Sequence, residues 1–223
     1  GWIYTYFRCG RCRSNNKKWG YIMKLFYSAN SPYARRTRIA ASAARGFGVA
    51  VEDIDVAPLG PDNPVLSKLG PGGKVPGLEL DSGAYLCETL IITRHLNDCA
   101  GGRLMPSGQA EIDKVAELEG IASLLMDSLF VRAAENRRDP SEQSPGEIEK
   151  EGQRAKRCYD ALDKILSGQG TELHLGNIAA VAALGYADGR HPGDEWRQGR
   201  DGLRAWFDEM MKYPSVADTT PNF

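Results

Sequence analysis

The chain has 223 residues, 42% hydrophobic and 26% charged, which excludes a disordered or fibrous protein and leaves room for one large domain or two small ones. The formal net charge of −1 hides two unlike pieces: residues 1–22 hold five basic residues and no acid, so the remaining 201 carry −6. That acidic body argues against a nucleic-acid partner. An apolar run of roughly eighteen residues would be needed to span a bilayer, and the longest, Gly176 to Ala187, has twelve.

Residues 1–22 also lack the apolar core of a secretory signal, and Trp2, Tyr4, Tyr6, Phe7 and Trp19 do not share a helical face. The expectation is a leader that takes no part in a fold starting at Met23. Five cysteines, Cys9, Cys12, Cys87, Cys99 and Cys158, are too sparse for a disulfide framework, so a reducing, cytoplasmic setting is expected. The lone Cys9-Gly-Arg-Cys12 pair is only half a zinc site, and His95, His174 and His191 have no ligand spacing. No metal site is expected.

From Met23 the run Lys24 to Tyr27 reads as a strand, and Ser31-Pro32 as a helix N-cap followed by proline at the first helical position. That helix should run to Arg45, where Gly46 and Gly48 stop it. Val49 to Val56 reads as a second strand, followed by a short helix near Val65 to Leu69. Gly77–Leu80 and Ala84–Cys87 flank the turn Asp81-Ser82-Gly83 and predict a hairpin. Helical spacing returns from Glu88 to Cys99. Residues 101–108, rich in Gly and Pro, read as a linker. Beyond it every element is helical: Ile112 to Glu135, Pro145 to Leu166, a buried helix over Gly176 to Tyr186, and Arg200 to Lys212. The fold class predicted is α/β followed by all-α, with an α/β domain over 23–100 and a helical one over 109–223.

Three short motifs carry the chemistry. Ser31-Pro32-Tyr33-Ala34 follows the first strand and opens a helix, where unpaired N–H groups and a partial positive charge favour an anion such as a thiolate. A serine there can donate to a thiolate and lower its pKa, or it can be only a cap. With Ser31 and Ala34 instead of cysteines, dithiol redox chemistry is excluded. Lys74-Val75-Pro76 precedes the third strand. It fails the phosphate-loop pattern, but a cis proline there would present the Val75 main chain to an extended ligand. Glu88-Thr89 opens the next helix and can hold an amino-acid head group. Taken singly, Val75-Pro76 is equally a turn and Glu88 a favourable helix-start charge.

Together, in this order and spacing, the motifs resemble the glutathione transferase superfamily over about residues 23–223. The tail Ala182–Tyr186 and Trp196–Phe207 looks like its bacterial members. The resemblance implies a thioredoxin-like N-terminal domain, a helical C-terminal domain and a homodimer. It also implies glutathione as co-substrate with no bound cofactor. Ser31 matches the thiol-activating position. Val75 and Pro76 match the clamp on the cysteinyl unit, and Glu88 and Thr89 the grip on the γ-glutamyl end. Lys74 sits where a basic residue faces the tripeptide, and Tyr33 packs beside the thiol. The turn has omega-like spacing but carries serine in place of cysteine, which points to thiolate activation. The family's capping box appears as His174-Leu175-Gly176-Asn177, for which loss of a preferred cap costs about 1 kcal/mol. The activity implied is conjugation of glutathione to a small electrophile, as in detoxification. The alternatives are a non-enzymatic interaction or stress protein and a glutathione-dependent isomerase or dehalogenase of the same fold. The isomerase signature Ser-Ser-Cys is replaced by Ala29-Asn30-Ser31.

Overall fold

The computed structural model describes residues 22–56, 70 and 72–223. The expected leader over 1–21, the Cys9–Cys12 pair and the short helix near 65–69 lie outside the described residues. Strand β1 (Met23–Tyr27) leads into helix α1 (Pro32–Arg45), then β2 (Val51–Asp55), β3 (Gly77–Glu79), β4 (Tyr85–Cys87) and α2 (Thr89–Cys99). Helices α3 (Gln109–Glu135), α4 (Pro145–Leu166), α5 (Leu175–Arg190), α6 (Asp201–Met210) and α7 (Pro214–Ala217) follow. Among the described residues the expected elements are present within a few residues of their predicted ends. The four-residue α7 has no apolar period long enough to announce it.

The sheet order is β2-β1-β3-β4, with β1 parallel to β2 and antiparallel to β3. Leu25 faces Leu78 across the β1–β3 pair, and both are fully buried. Gly77 in β3 leaves room for Tyr85: an added Cβ would fall 1.8 Å from the Tyr85 hydroxyl oxygen, so the Tyr85 ring would have to move. Gly83, at φ +82°, supplies the left-handed residue of the hairpin turn.

Ala-rich α1 buries Ala34, Ile39, Ala40, Ala41 and Ala44 and touches both β1 and α5. Its small side chains let the sheet layer approach the helical layer. Two buried arginines on the same helix reach across. Arg36 donates to Glu119 of α3 at 2.5 Å, and Arg94 of α2 donates to the other Glu119 oxygen. Arg35 donates to the Val216 carbonyl at 3.2 Å, and burial pushes its guanidinium down to about 10.

Helix α5 is buried from Leu175 through Leu184, which explains its continuous apolar sequence. Its N-terminus corrects the expected loss of a cap. His174 Nδ1 accepts from the Asn177 N–H at 3.2 Å, and the Asn177 amide donates to the carbonyls of Glu172 and Gly170. An imidazole nitrogen thus stands in for the hydroxyl of the usual capping residue. His191 is a packing residue whose Nε2 lies 2.9 Å from the Leu129 carbonyl oxygen. Among the described residues, no helix is long and apolar enough to cross a membrane.

Candidate active site

The β1–α1 turn delivers Ser31 to one wall of a cavity of about 730 Å³ between the sheet layer and the helices. That size is within the ~300–1,000 Å³ range of small-molecule sites. Ser31 is the N-cap of α1: its Oγ accepts from the Ala34 N–H at 3.2 Å. This uses an acceptor lone pair and leaves the hydroxyl proton, which no described residue takes up. The cap reading and the donor reading therefore do not compete. One oxygen can cap the helix and still donate outward.

The structure brings all the sequence-predicted residues to this cavity: Ser31, Tyr33, Lys74, Val75, Pro76, Glu88 and Thr89 all line it. The Val75-Pro76 peptide is cis. Lys74 and Glu88 are exposed, whereas Thr89 is buried. Glu88 has φ 68° and ψ 126°, a conformation that a non-glycine residue holds at a cost of about 1–3 kcal/mol. Its side chain makes no cap hydrogen bond, so the strain is not offset by helix capping. The carboxylate at the mouth of α2 is left available for a ligand.

Tyr33 has a different commitment. Its hydroxyl donates to Asp127 Oδ1 of α3 at 2.6 Å, and its ring meets Phe130 edge-on at 5.4 Å. Burial first, then Asp127, hold the phenol far above its ordinary pKa. Its single O–H is already committed to Asp127, so Tyr33 shapes the wall and Ser31 keeps the free donor.

The helical side of the cavity adds Asp127, Phe130, Arg137, Tyr186 and Arg190, none of which the sequence reading singled out. They are more than ninety positions from Ser31, on α3, just beyond it and on α5. No local motif joins them, and only the packing of those helices brings them to Ser31. Tyr85 lines the sheet side with a buried hydroxyl that has no partner among the described residues. Among the described residues no cluster of His, Cys, Asp and Glu could hold a metal ion.

With this architecture and cavity in view, the chain belongs to the glutathione transferase superfamily. Residues 30–99 match the model of the glutathione S-transferase N-terminal domain, and residues 145–209 that of the C-terminal domain. The chain is 28% identical over 204 residues to the uncharacterized GST-like protein YibF of Escherichia coli K12, covering 89% of this chain and 98% of the relative. A glutathione S-transferase from Methylobacillus flagellatus, solved with glutathione bound, shares 29% identity, with a TM-score of 0.81 over 90% of this chain and 100% of its own. A glutathione transferase family member from Pseudomonas fluorescens Pf-5, also with bound glutathione, shares 27% identity at a TM-score of 0.80, with the same coverage.

Proposed function

We propose that the protein is a glutathione transferase that ionises the glutathione thiol at Ser31 and conjugates it to a small electrophile. The observation that carries this reading is the uncommitted Ser31 hydroxyl proton at the start of α1, on the wall of a ligand-sized cavity. Glutathione in the solved relatives supports the tripeptide as co-substrate. In this reading Val75 and Pro76 clamp the cysteinyl unit, Glu88 and Thr89 hold the γ-glutamyl head, and Lys74 faces a carboxylate. Residues 23–100 form the glutathione-binding domain and 109–223 the helical domain that completes the second-substrate side, with 101–108 between them.

The chemistry needs little else. Ser31 donates to the sulfur and the α1 terminus adds its partial positive charge, so the thiol proton leaves to water. The thiolate pair then forms a sulfur–carbon bond to the electrophile. With an aryl halide, the halide departs with the pair of its broken bond. Holding both partners in one cavity supplies proximity. A cytoplasmic protein is supported by free Cys87 and Cys158. A homodimer is supported by the exposed apolar Leu90 and Ile91 of α2 and Leu124 of α3.

Calorimetry with glutathione, followed by turnover with a chlorodinitrobenzene, tests the reading. Binding and conjugation are expected. Absence of glutathione binding would instead favour the non-enzymatic interaction protein, and binding without conjugation the isomerase or dehalogenase.

A further inference from the structure

The helical wall of the cavity carries two cations that no described residue neutralises. Arg137 lies two residues beyond α3, and Arg190 is the last residue of α5. Both line the same cavity as Ser31. The neighbouring arginines are matched: Arg132 with Asp194, Arg138 with Glu135 and Glu142, Arg197 with Asp188. Among the described residues, neither Arg137 nor Arg190 has a carboxylate within ion-pair distance. Asp127, the acid on the same wall, already accepts a hydrogen bond from the Tyr33 hydroxyl.

Arg190 is held in place. Its guanidinium carbon sits 4.2 Å from the Phe223 ring centroid, and its buried Nε has no hydrogen-bond partner among the described residues. Stacking on an aromatic face orients the planar fork and leaves its edge for a ligand. Tyr186 lines the same cavity, and the positive charges of Arg137 and Arg190 oppose the rise that burial causes in its phenol pKa. A helix C-terminus favours a nearby cation, but that effect alone would not turn both arginines to one cavity wall.

Resting on the transferase reading, we propose that the electrophile is a small carboxylate, whose anionic group is received by Arg137 and Arg190. Its body lies against Phe130, Tyr33 and Tyr186, with the reactive carbon toward Ser31. Two guanidinium groups match a carboxylate through charge-assisted, bidentate hydrogen bonds in a partly dry cavity. Uncharged electrophiles would leave both cations unmatched and would be poorer substrates.

Calorimetry with two product analogues tests this without depending on turnover: S-benzylglutathione and S-(para-carboxybenzyl)glutathione. The wild-type protein is expected to bind the carboxylated conjugate at least about tenfold more tightly, the size of one charge-assisted hydrogen bond. In the double variant Arg137→Met/Arg190→Met that ratio should collapse to within about twofold. Arg137→Gln alone, at an exposed position, should lose part of it and guards against misfolding of the double variant. Equal binding of the two conjugates by the wild-type protein would overturn the proposal and leave the glutathione reading standing. Equal weakening of both conjugates in the variants would also overturn it, because the arginines would then serve glutathione itself. If neither conjugate bound, both readings would fall.

Discussion

The Tyr33 hydroxyl donates to Asp127 at 2.6 Å, tying the first turn of α1 to the middle of α3 across the active-site cavity. Two hydroxyls stand near each other at the start of α1, and this bond distinguishes them. Tyr33→Phe keeps the ring and loses only a hydroxyl whose proton is already committed to the hydrogen bond with Asp127. It should lower turnover by less than about threefold, whereas Ser31→Ala should lower it by more than about tenfold, or over 1.36 kcal/mol of barrier. Steady-state kinetics of the two variants with one aryl halide checks the contrast. The reverse order would move the thiol-activating role to Tyr33.

Glu119 is the second tie between the layers. Its carboxylate is almost fully buried and accepts from Arg36, equally buried, and from half-exposed Arg94. Burial presses the Arg36 pKa down and Glu119 opposes that. Glu119→Gln would leave Arg36 as an uncompensated buried charge, so a loss of about 3–5 kcal/mol is expected. Arg94→Ala, which removes the exposed partner, should cost about 1 kcal/mol or less. Urea denaturation midpoints measure both.

The motifs at Ser31, Val75-Pro76 and Glu88 were legible in the sequence because each is a local event: a cap, a proline at a strand entry, a helix start. Strand and helix periods placed the elements for the same reason. The pairing of Tyr33 with Asp127 was not legible, and neither was the turning of Arg137 and Arg190 to one wall. Those relationships arise only when α3 and α5 dock on α1. His174 was misread as a lost cap because propensity scales rank residue types, and they do not see that Nδ1 lies 3.2 Å from the Asn177 amide nitrogen.

That imidazole cap makes part of the stability pH-dependent. Nδ1 can accept only when unprotonated, and burial, opposed by Glu172, lowers the His174 pKa in the fold. The unfolded chain, with an ordinary value near ~6.5, therefore takes up the proton first. Stability is full above about pH 6.5 and is lost as pH falls toward the lower folded value. Burial lowers His95 and His191 as well, and they add to the same acid-side loss. His174→Asp keeps an acceptor at lower pH, so its loss of stability between neutral pH and about pH 5 should be smaller than the wild type's by about 1 kcal/mol. Thermal melts across that range would show an equal slope if the cap contributed nothing.

Glu88 sets stability against binding. Glu88→Gly relieves the left-handed backbone at φ 68° but adds flexibility to the unfolded chain. Stability should stay the same or rise by about 1 kcal/mol, while glutathione affinity falls by at least about tenfold through loss of the carboxylate. Denaturation and calorimetry on the same preparation separate the two effects. A destabilised variant with unchanged affinity would show that Glu88 serves the fold alone.

The central claim is that the Ser31 hydroxyl, together with the α1 terminus, ionises the thiol of bound glutathione. Titration of the ultraviolet thiolate absorbance of glutathione bound to wild-type protein and to Ser31→Ala reads this directly. The bound thiol should ionise at least about one unit below the ~8.5 of a free thiol in the wild type, and move back up by about one unit in the variant. An equally low thiol pKa in both proteins would contradict the account.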